Sequence, residues 1–249
     1  MHQGRKIRMS RTETSRSCHT SKARTSPSTW SFRSMLLSCC GEGSSASAAV
    51  TGVALGTALA GLDLADDTVL RFVSDIASSI EGHPDNASAS VYGNVTVSWA
   101  GDGDAGDWRS AVLAPHPHLV PVLVVPQRRL STATARAALP TAVPLAVAAR
   151  NSGRTALLAH ALTADPSLLM PATQDYLHQE ARRPAYPESM ALVDALRDAG
   201  IPAVISGAGP TVLALTSGQG EEAVRAVAGD VEIISPGTTS RGVHAVSSS

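Results

Sequence analysis

The chain has 249 residues, of which 43 % are hydrophobic but only 3 % are aromatic, so alanine, valine and leucine must build its core. No stretch contains 18 consecutive apolar residues, which argues against a membrane-spanning helix. The basic N-terminus is not followed by the apolar segment that a secretory signal requires. We therefore expect a cytoplasmic protein without a membrane partner.

Residues 1–40 differ in composition from the rest of the chain. They hold eight lysine or arginine residues against one acid, Glu13, although the net charge of the whole chain is −1. All three cysteines lie there, and their number and spacing favour neither a disulfide framework nor a zinc site. Three interpretations are open: a basic nucleic-acid-binding arm, an organelle-targeting segment, or a disordered leader foreign to the fold. We favour the leader, and so expect no nucleic-acid partner.

From Gly41 onward, apolar spacing and capping residues predict an α+β protein. Helices are expected at about 41–60, 66–80, after the turn at 81–86, from 131, and at 144–160, 187–199 and 221–227. Strands are expected at 94–99, 119–125, 203–205, 211–215, 231–234 and near Val243. This order suits helices packed on one face of an antiparallel sheet.

Three short polar strings could carry chemistry. Gly41–Ser45 opens a helix, where free N–H groups and the helix dipole can hold phosphate. Glu81–Asn86 collects carboxylate, histidine and amide groups that could hold Mg²⁺ or a polar substrate. Ser206–Thr211 is a glycine-rich bend whose amides could line an anion site. Each string, taken alone, is equally compatible with an ordinary turn or helix cap.

In this order the strings resemble those of the GHMP kinase family, which includes galactokinases, homoserine kinases and mevalonate kinases. GEGSSA at 41–46 is similar to the family's phosphate loop, P-x-x-x-G-L-G-S-S-A. Several strings resemble the homoserine kinase branch in particular. They are EGHPDN at 81–86, L-S-T-x-x-A-R-x-x-L-P at 130–140, N-x-G-R-x-A-L-L at 151–158, D-x-L-H-Q at 175–179 and SGAGPTVLAL at 206–215.

The resemblance implies a two-domain GHMP kinase fold. An incomplete N-terminal ATP-binding α+β domain would occupy residues 41–126, and a C-terminal α+β sandwich residues 127–249. The implied reaction is ATP-dependent phosphorylation of L-homoserine to O-phospho-L-homoserine in threonine biosynthesis, with ATP and Mg²⁺ as cofactors. A catalytically dead remnant of a GHMP kinase is the alternative, and a homodimer is left open.

The resemblance also implies roles for individual residues. The ATP phosphates would lie on Gly41, Gly43, Ser44, Ser45 and Ala46. The metal would be held by Ser45 and Glu81, and the catalytic residues would be Glu81, Asp85 and Asn86. The substrate would contact His83, Asp85, Arg154, Arg182, Gly207 and Gly209, with Asp85 on its ammonium group and the arginines on its carboxylate. His178 is expected to pack rather than to react.

Three features depart from the family pattern. The family carries a longer segment before the phosphate loop, with an A-x-S-A-N-x-G-P-G-F-D string, and residues 1–40 contain nothing similar. Glu42 replaces the usual leucine; a carboxylate about 6 Å from a phosphate charge costs roughly 3 kcal/mol at an effective dielectric near 20, or about a hundredfold in ATP affinity. Glu180 and Ala181 replace the usual Pro-Tyr, which leaves Arg183 as an alternative to Arg182.

Overall fold

The computed structural model describes residues 21–25, 28–32, 43–102, 107–126, 138–218 and 220–245. The chain divides into two units, residues 1–35 and residues 36–249. In the first unit, strands β1 (Ser21–Thr25) and β2 (Ser28–Phe32) pair antiparallel. Residues 1–40 were expected to be disordered, and these two strands depart from that expectation. Gly41, Glu42 and the helix expected from residue 131 lie outside the described residues.

The second unit begins with three helices, α1 (Ser44–Leu59), α2 (Asp67–Glu81) and α3 (Asp85–Tyr92). They bury a common apolar cluster that consists of Val50, Ala54, Leu64, Val73, Ala77, Ala87 and Val91. The small side chains of this cluster let the three helices approach closely. The arrangement brings the end of α2 and the beginning of α3 to the beginning of α1.

The ends of the first two helices confirm the capping signals in the sequence. The Asp66 carboxylate accepts a hydrogen bond from the Thr68 N–H at 2.7 Å, which satisfies a free donor in the first turn of α2. Gly61 follows the last turn of α1, and its N–H donates to the Ala58 carbonyl at 3.0 Å. Interactions between residues close in the sequence therefore set both boundaries.

A two-stranded hairpin follows, made of β3 (Val95–Ala100) and β4 (Trp108–Leu113). The first strand confirms the prediction for 94–99, but the second was not predicted. Most residues of β4 are half-buried or exposed, so apolar and polar positions alternate too weakly there to indicate a strand.

The larger sheet has four antiparallel strands in the order β6-β7-β5-β8. They are β5 (Leu119–Val125), β6 (Ala203–Ile205), β7 (Val212–Ser217) and β8 (Glu232–Ile234). In the register, Val122 lies opposite Ala214 and Leu123 lies opposite Ile234. The prediction of a strand near Val243 is wrong. The Val243 N–H instead donates to the Val91 carbonyl at 3.0 Å, beside the α1–α3 cluster.

Five more helices complete the described part of this unit. They are α4 (Leu145–Thr163), α5 (Leu169–Ala172), α6 (Gln179–Arg182), α7 (Pro187–Asp198) and α8 (Gly220–Ala228), with short 3₁₀ turns at Pro166–Leu168 and Arg183–Ala185. None of the helices in the described residues has both the length and the apolar character that crossing a membrane requires.

Helices pack on both faces of the four-stranded sheet, so the expectation of one covered face is wrong. Val122 and Ala214 share an apolar cluster with residues of α7 and α8. Side chains alternate along a strand, so Leu119 and Leu215 point to the opposite face. They share a cluster with residues of α4 and α5. The α+β class itself is confirmed.

The cluster between α7 and the sheet gives a stability prediction. Leu196 is 0 % exposed there, so Leu196→Ala removes buried methyl groups and leaves a cavity. We expect the free energy of unfolding to fall by about 2–5 kcal/mol, measured by urea denaturation followed by circular dichroism. Leu145→Ala is the control, because Leu145 is 85 % exposed and its loss changes this free energy by less than about 0.5 kcal/mol. Equal losses in the two variants would contradict the packing described.

Candidate active site

A cavity of about 820 Å³ in the second unit brings together side chains from segments that are distant in the sequence. Most of the residues predicted from the sequence line it: Gly43, Ser44, Ser45, Ala46, Glu81, His83, Asp85, Asn86, Arg154, Arg182 and Gly207. Gly209 lies outside this lining. A Cβ on Gly209 would stand 3.0 Å from the Tyr186 ring, so packing explains its glycine.

The beginning of α1 presents unsatisfied backbone donors to the cavity. Gly43 precedes the helix with φ +69°, a conformation that favours glycine, and no side chain of the described residues caps the first turn. A Cβ on Gly43 would lie 3.4 Å from the Asn86 side chain, so the backbone passes close to the beginning of α3. The first N–H groups of a helix have no partner within the helix and carry the positive end of its dipole. This geometry suits an anion such as phosphate.

The Ser45 hydroxyl donates to the Glu81 carboxylate at 2.7 Å and joins the first turn of α1 to the last residue of α2. Hydroxyl and carboxylate oxygens are hard ligands of the kind that Mg²⁺ prefers. Among the described residues there is no group of three or more His, Cys, Asp or Glu side chains that could hold a metal. The pair fits a Mg²⁺ ion whose other ligands are water and phosphate oxygens.

His83 and Asp85 form a second polar pair at the entrance to α3. His83 Nδ1 lies 2.5 Å from Asp85 Oδ1, which also accepts a hydrogen bond from the Asn86 N–H at 2.8 Å. Asp85 is the first residue of α3, as expected of a helix-starting residue. Its side chain is still 70 % exposed, so these contacts leave it open to the cavity that it lines.

The structure separates the two candidate arginines, Arg182 and Arg183. Arg182 lines the cavity and donates to the Gly207 carbonyl at 3.4 Å. Arg183 instead donates to Glu180 at 2.7 Å and to Asp194 at 2.8 Å. The hydrogen bonds that Arg183 donates to these two carboxylates raise its pKa above the ordinary value. Glu180, the residue that departs from the family pattern, thus holds Arg183 and leaves Arg182 at the cavity.

Arg154 extends from α4 into the same cavity. It is half-buried and makes no hydrogen bond or ion pair with another described residue. A half-buried guanidinium with this freedom can receive a carboxylate in a two-pronged geometry. The cavity therefore carries both signs of charge, with carboxylates on Glu81 and Asp85 and guanidinium groups on Arg154 and Arg182.

Asp175, His178 and Gln179 also line the cavity, although no role for Asp175 or Gln179 was predicted from the sequence. The Asp175 carboxylate accepts hydrogen bonds from the N–H groups of Leu177 and Gln179 at 2.8 and 3.1 Å, and from His178. Aspartate side chains often accept hydrogen bonds from backbone N–H groups a few residues later and so favour turns. The aspartate at position 175 was therefore the signal in the sequence for this turn. His178 does not pack as expected, since 48 % of its side chain is exposed and it lines the cavity.

Two family models match the sequence, the GHMP kinases N terminal domain at residues 16–94 and the GHMP kinases C terminal model at residues 150–232. Together they cover well over half of the chain. This chain belongs to the GHMP kinase family. The match to the N-terminal model begins inside the segment interpreted as a leader, and the domain boundaries at residues 40 and 126 stay predictions.

Individual relatives agree with the family assignment. Homoserine kinase from Streptomyces avermitilis is 50 % identical over 192 residues, which make up 76 % of this chain and 61 % of that protein. Homoserine kinase from Streptomyces coelicolor is 49 % identical over 191 residues, 76 % of this chain and 60 % of that protein. The chain thus spans about 60 % of the length of the curated relatives it matches.

A solved structure confirms the GHMP kinase fold. Homoserine kinase from Cytophaga hutchinsonii superposes with a TM-score of 0.70 at 24 % identity, covering 84 % of this chain and 69 % of that one. The fold class implied by the resemblance is therefore confirmed.

Asp175 gives a pH-dependent prediction for this GHMP kinase. Burial raises the pKa of Asp175. Hydrogen bonds from the His178 side chain and from the N–H groups of Leu177 and His178 lower it by more than burial raises it, so the pKa falls to about 2. Because this folded-state pKa lies below the ordinary value of 3.8, the carboxylate stabilises the fold above about pH 4, and that contribution is lost as pH falls toward 2.

We expect Asp175→Ala to lower the free energy of unfolding by about 1–2 kcal/mol at pH 7, because three backbone donors lose their acceptor. The difference from the parent chain should shrink between pH 4 and pH 3 in urea denaturation. Asp198→Asn, at the exposed end of α7, is the control. A difference that stays constant over this pH range would show that the carboxylate charge is unimportant.

Proposed function

We propose that the protein is a homoserine kinase, which transfers the terminal phosphoryl group of ATP to the side-chain hydroxyl of L-homoserine and yields O-phospho-L-homoserine for threonine biosynthesis. The observation that carries the proposal is one cavity that joins uncapped helix N–H groups, an oxygen-ligand pair and two arginines. The homoserine kinase relatives at about 50 % identity support the choice of substrate. The proposed enzyme acts in the cytoplasm and has no nucleic-acid partner.

The phosphates of ATP would lie at the beginning of α1. Ser44, Ser45 and Ala46 form the first helical turn and line the cavity. The N–H groups of this turn and the dipole of a 16-residue helix favour a polyanion at this end. Gly43 keeps the approach open because it carries no side chain.

The Ser45 hydroxyl and the Glu81 carboxylate would hold Mg²⁺ beside the phosphates. When bound, the ion would neutralise charge on the phosphate oxygens during transfer. Mg²⁺ keeps several waters and takes few protein carboxylates at nucleotide sites, so a pair of this kind is sufficient.

The amino-acid substrate requires groups of both charges. Its ammonium group would lie against Asp85, which His83 and the Asn86 N–H hold in place. Its carboxylate would lie against Arg154 and Arg182, since a planar guanidinium can donate two parallel hydrogen bonds to a carboxylate. Gly207 holds Arg182 through its carbonyl, and Asn86 lies beside Gly43, where substrate and phosphate would meet.

Phosphoryl transfer places modest demands on these residues. The loose transition state is stabilised mainly by positioning and by charge, so a strong base is not essential. The cavity supplies fixed donors for the phosphates and fixed charges for the amino acid. The arrangement can therefore align a hydroxyl with the phosphoryl group without a dedicated base beside Asn86.

A non-catalytic GHMP kinase remnant is the competing candidate, because Glu42 replaces the usual leucine in the phosphate loop. Calorimetric titration of the purified chain with ATP and Mg²⁺, together with an assay of ADP release, separates the two. Binding and ADP release that depend on L-homoserine support the kinase. Absence of binding at millimolar ATP would support the remnant.

Glu81→Gln tests the metal pair. It keeps the size of the side chain but removes the charge that would hold Mg²⁺, so we expect kcat to fall at least about 100-fold. The measurement is ADP release at saturating ATP and homoserine over a range of Mg²⁺ concentrations. Glu222→Gln, on the exposed side of α8 and outside the cavity, should keep the parent activity. Unchanged Mg²⁺-dependent turnover in Glu81→Gln would remove Glu81 from the site.

Arg154→Lys tests recognition of the substrate carboxylate. Lysine keeps the charge but loses the two-pronged geometry, so we expect KM for L-homoserine to rise about 10–100-fold while KM for ATP changes less than about twofold. Arg225→Lys is the control, because Arg225 pairs with Glu221 on α8 away from the cavity. Equal increases in both KM values would instead indicate a general disturbance of the cavity.

A further inference from the structure

Of the carboxamides that line the cavity, Asn151 and Gln179 have no role in the proposed reaction and accept hydrogen bonds from the backbone. Both line the cavity, and each bonds to the backbone of another segment. Asn151 Oδ1 accepts a hydrogen bond from the Tyr176 N–H at 2.9 Å, and Gln179 Oε1 accepts one from the Ile205 N–H at 2.7 Å. These bonds tie α4 to the Asp175–Gln179 turn and α6 to strand β6.

The backbone partners fix which way each carboxamide is turned. A backbone N–H can only donate, so it must face the carbonyl oxygen and not the NH₂ group. Each NH₂ group therefore points away from that backbone, and neither makes a hydrogen bond with another described residue. Among the described residues, the buried side-chain atoms without a partner are Ser78 Oγ, Trp108 Nε1 and Tyr186 Oη, so neither amide nitrogen is sealed off.

Each carboxamide precedes a cavity arginine by three residues, Asn151 before Arg154 on α4 and Gln179 before Arg182 on α6. Residues three apart on a helix are neighbours on one face. The nearby Asp175 carboxylate is already occupied by three backbone N–H groups and by His178, so it does not compete for the amide donors. The cavity thus offers two neutral donors, each beside a cationic one.

We propose that Asn151 and Gln179 are specificity-determining residues, whose NH₂ groups donate to the carboxylate of the amino-acid substrate next to Arg154 and Arg182. This inference rests on the proposed kinase function. A carboxylate has four lone-pair sites, so one that receives a guanidinium through two hydrogen bonds still has two sites for the amide donors. A cavity built in this way disfavours an amino alcohol without a carboxylate, because the donors would be left unpaired.

Gln179→Glu separates recognition from structure. Glutamate keeps an oxygen to accept the Ile205 N–H, but it replaces the amide donor with a negatively charged oxygen. We expect the Kd for L-homoserine, measured by calorimetry without nucleotide, to rise at least about 30-fold. Its selectivity over 3-aminopropan-1-ol, which lacks the carboxylate, should fall about as much. KM for ATP and the melting temperature should stay close to the parent values.

Asn151→Asp makes the same exchange on α4, and the same changes are expected in it. If Gln179→Glu does not fold, the measurements on Asn151→Asp test the proposal instead. Asn94→Asp is the control, because Asn94 is a carboxamide outside this cavity. Parent-like Kd and selectivity in folded Gln179→Glu and Asn151→Asp, with a parent chain that prefers homoserine, would overturn this inference alone. A parent chain that binds neither compound would overturn the proposed function as well.

Discussion

The hydrogen bond between Ser45 and Glu81 marks the junction on which the cavity depends. It joins the beginning of α1 to the end of α2, two points 36 residues apart in the sequence. An exposed bond of this kind contributes only about 1 kcal/mol by itself, so it cannot hold the helices together. The buried cluster of α1, α2 and α3 does that, and the polar junction follows from the apolar packing. Because α3 starts four residues after α2 ends, Asp85 and Asn86 are carried to the same place.

The opposite wall depends on a different anchor, Arg197 at the end of α7. Its guanidinium donates to the Thr173 hydroxyl at 2.8 Å, to the Met170 carbonyl at 2.9 Å and to the Ala203 carbonyl at 3.2 Å. Burial lowers the pKa of Arg197 below its ordinary value, but the acceptors around it compensate a buried cation. These bonds connect the segment before Asp175 to strand β6, so the wall that carries Arg182 is braced against the sheet.

Local signals in the sequence were sufficient for much of this structure. Asp66 marks the beginning of α2 because capping acts within three residues, and β5 is recognisable because its apolar run is long. The features that were missed depend on distant partners. Strand β4 is stabilised by pairing with β3, and Val243 is held by the Val91 carbonyl rather than by a strand.

The residues of the cavity divide in the same way: some were found from local motifs, and others depend on partners distant in the sequence. Family motifs located Glu81, Asp85 and Arg154, since each lies in a distinctive string. The choice between Arg182 and Arg183 could not be made from the sequence, because it depends on Asp194, which α7 brings beside Arg183. The contact that holds Gln179 was hidden for the same reason, since its partner is the N–H of Ile205, 26 residues away.

The distribution of charge explains why both parts of the fold are needed. Glu81 and Asp85 belong to the region that matches the N-terminal family model, and Arg154 and Arg182 to the region that matches the C-terminal model. Apart from Asp175, whose carboxylate is already engaged by backbone N–H groups, these residues give each region one sign of charge at the cavity. A zwitterionic amino acid needs both, with its ammonium group near the carboxylates and its carboxylate near the guanidinium groups. Under the proposed function these two fixed ends would orient the side-chain hydroxyl of the substrate, so selectivity for a zwitterion and alignment for phosphoryl transfer would both follow from the same separation of charge.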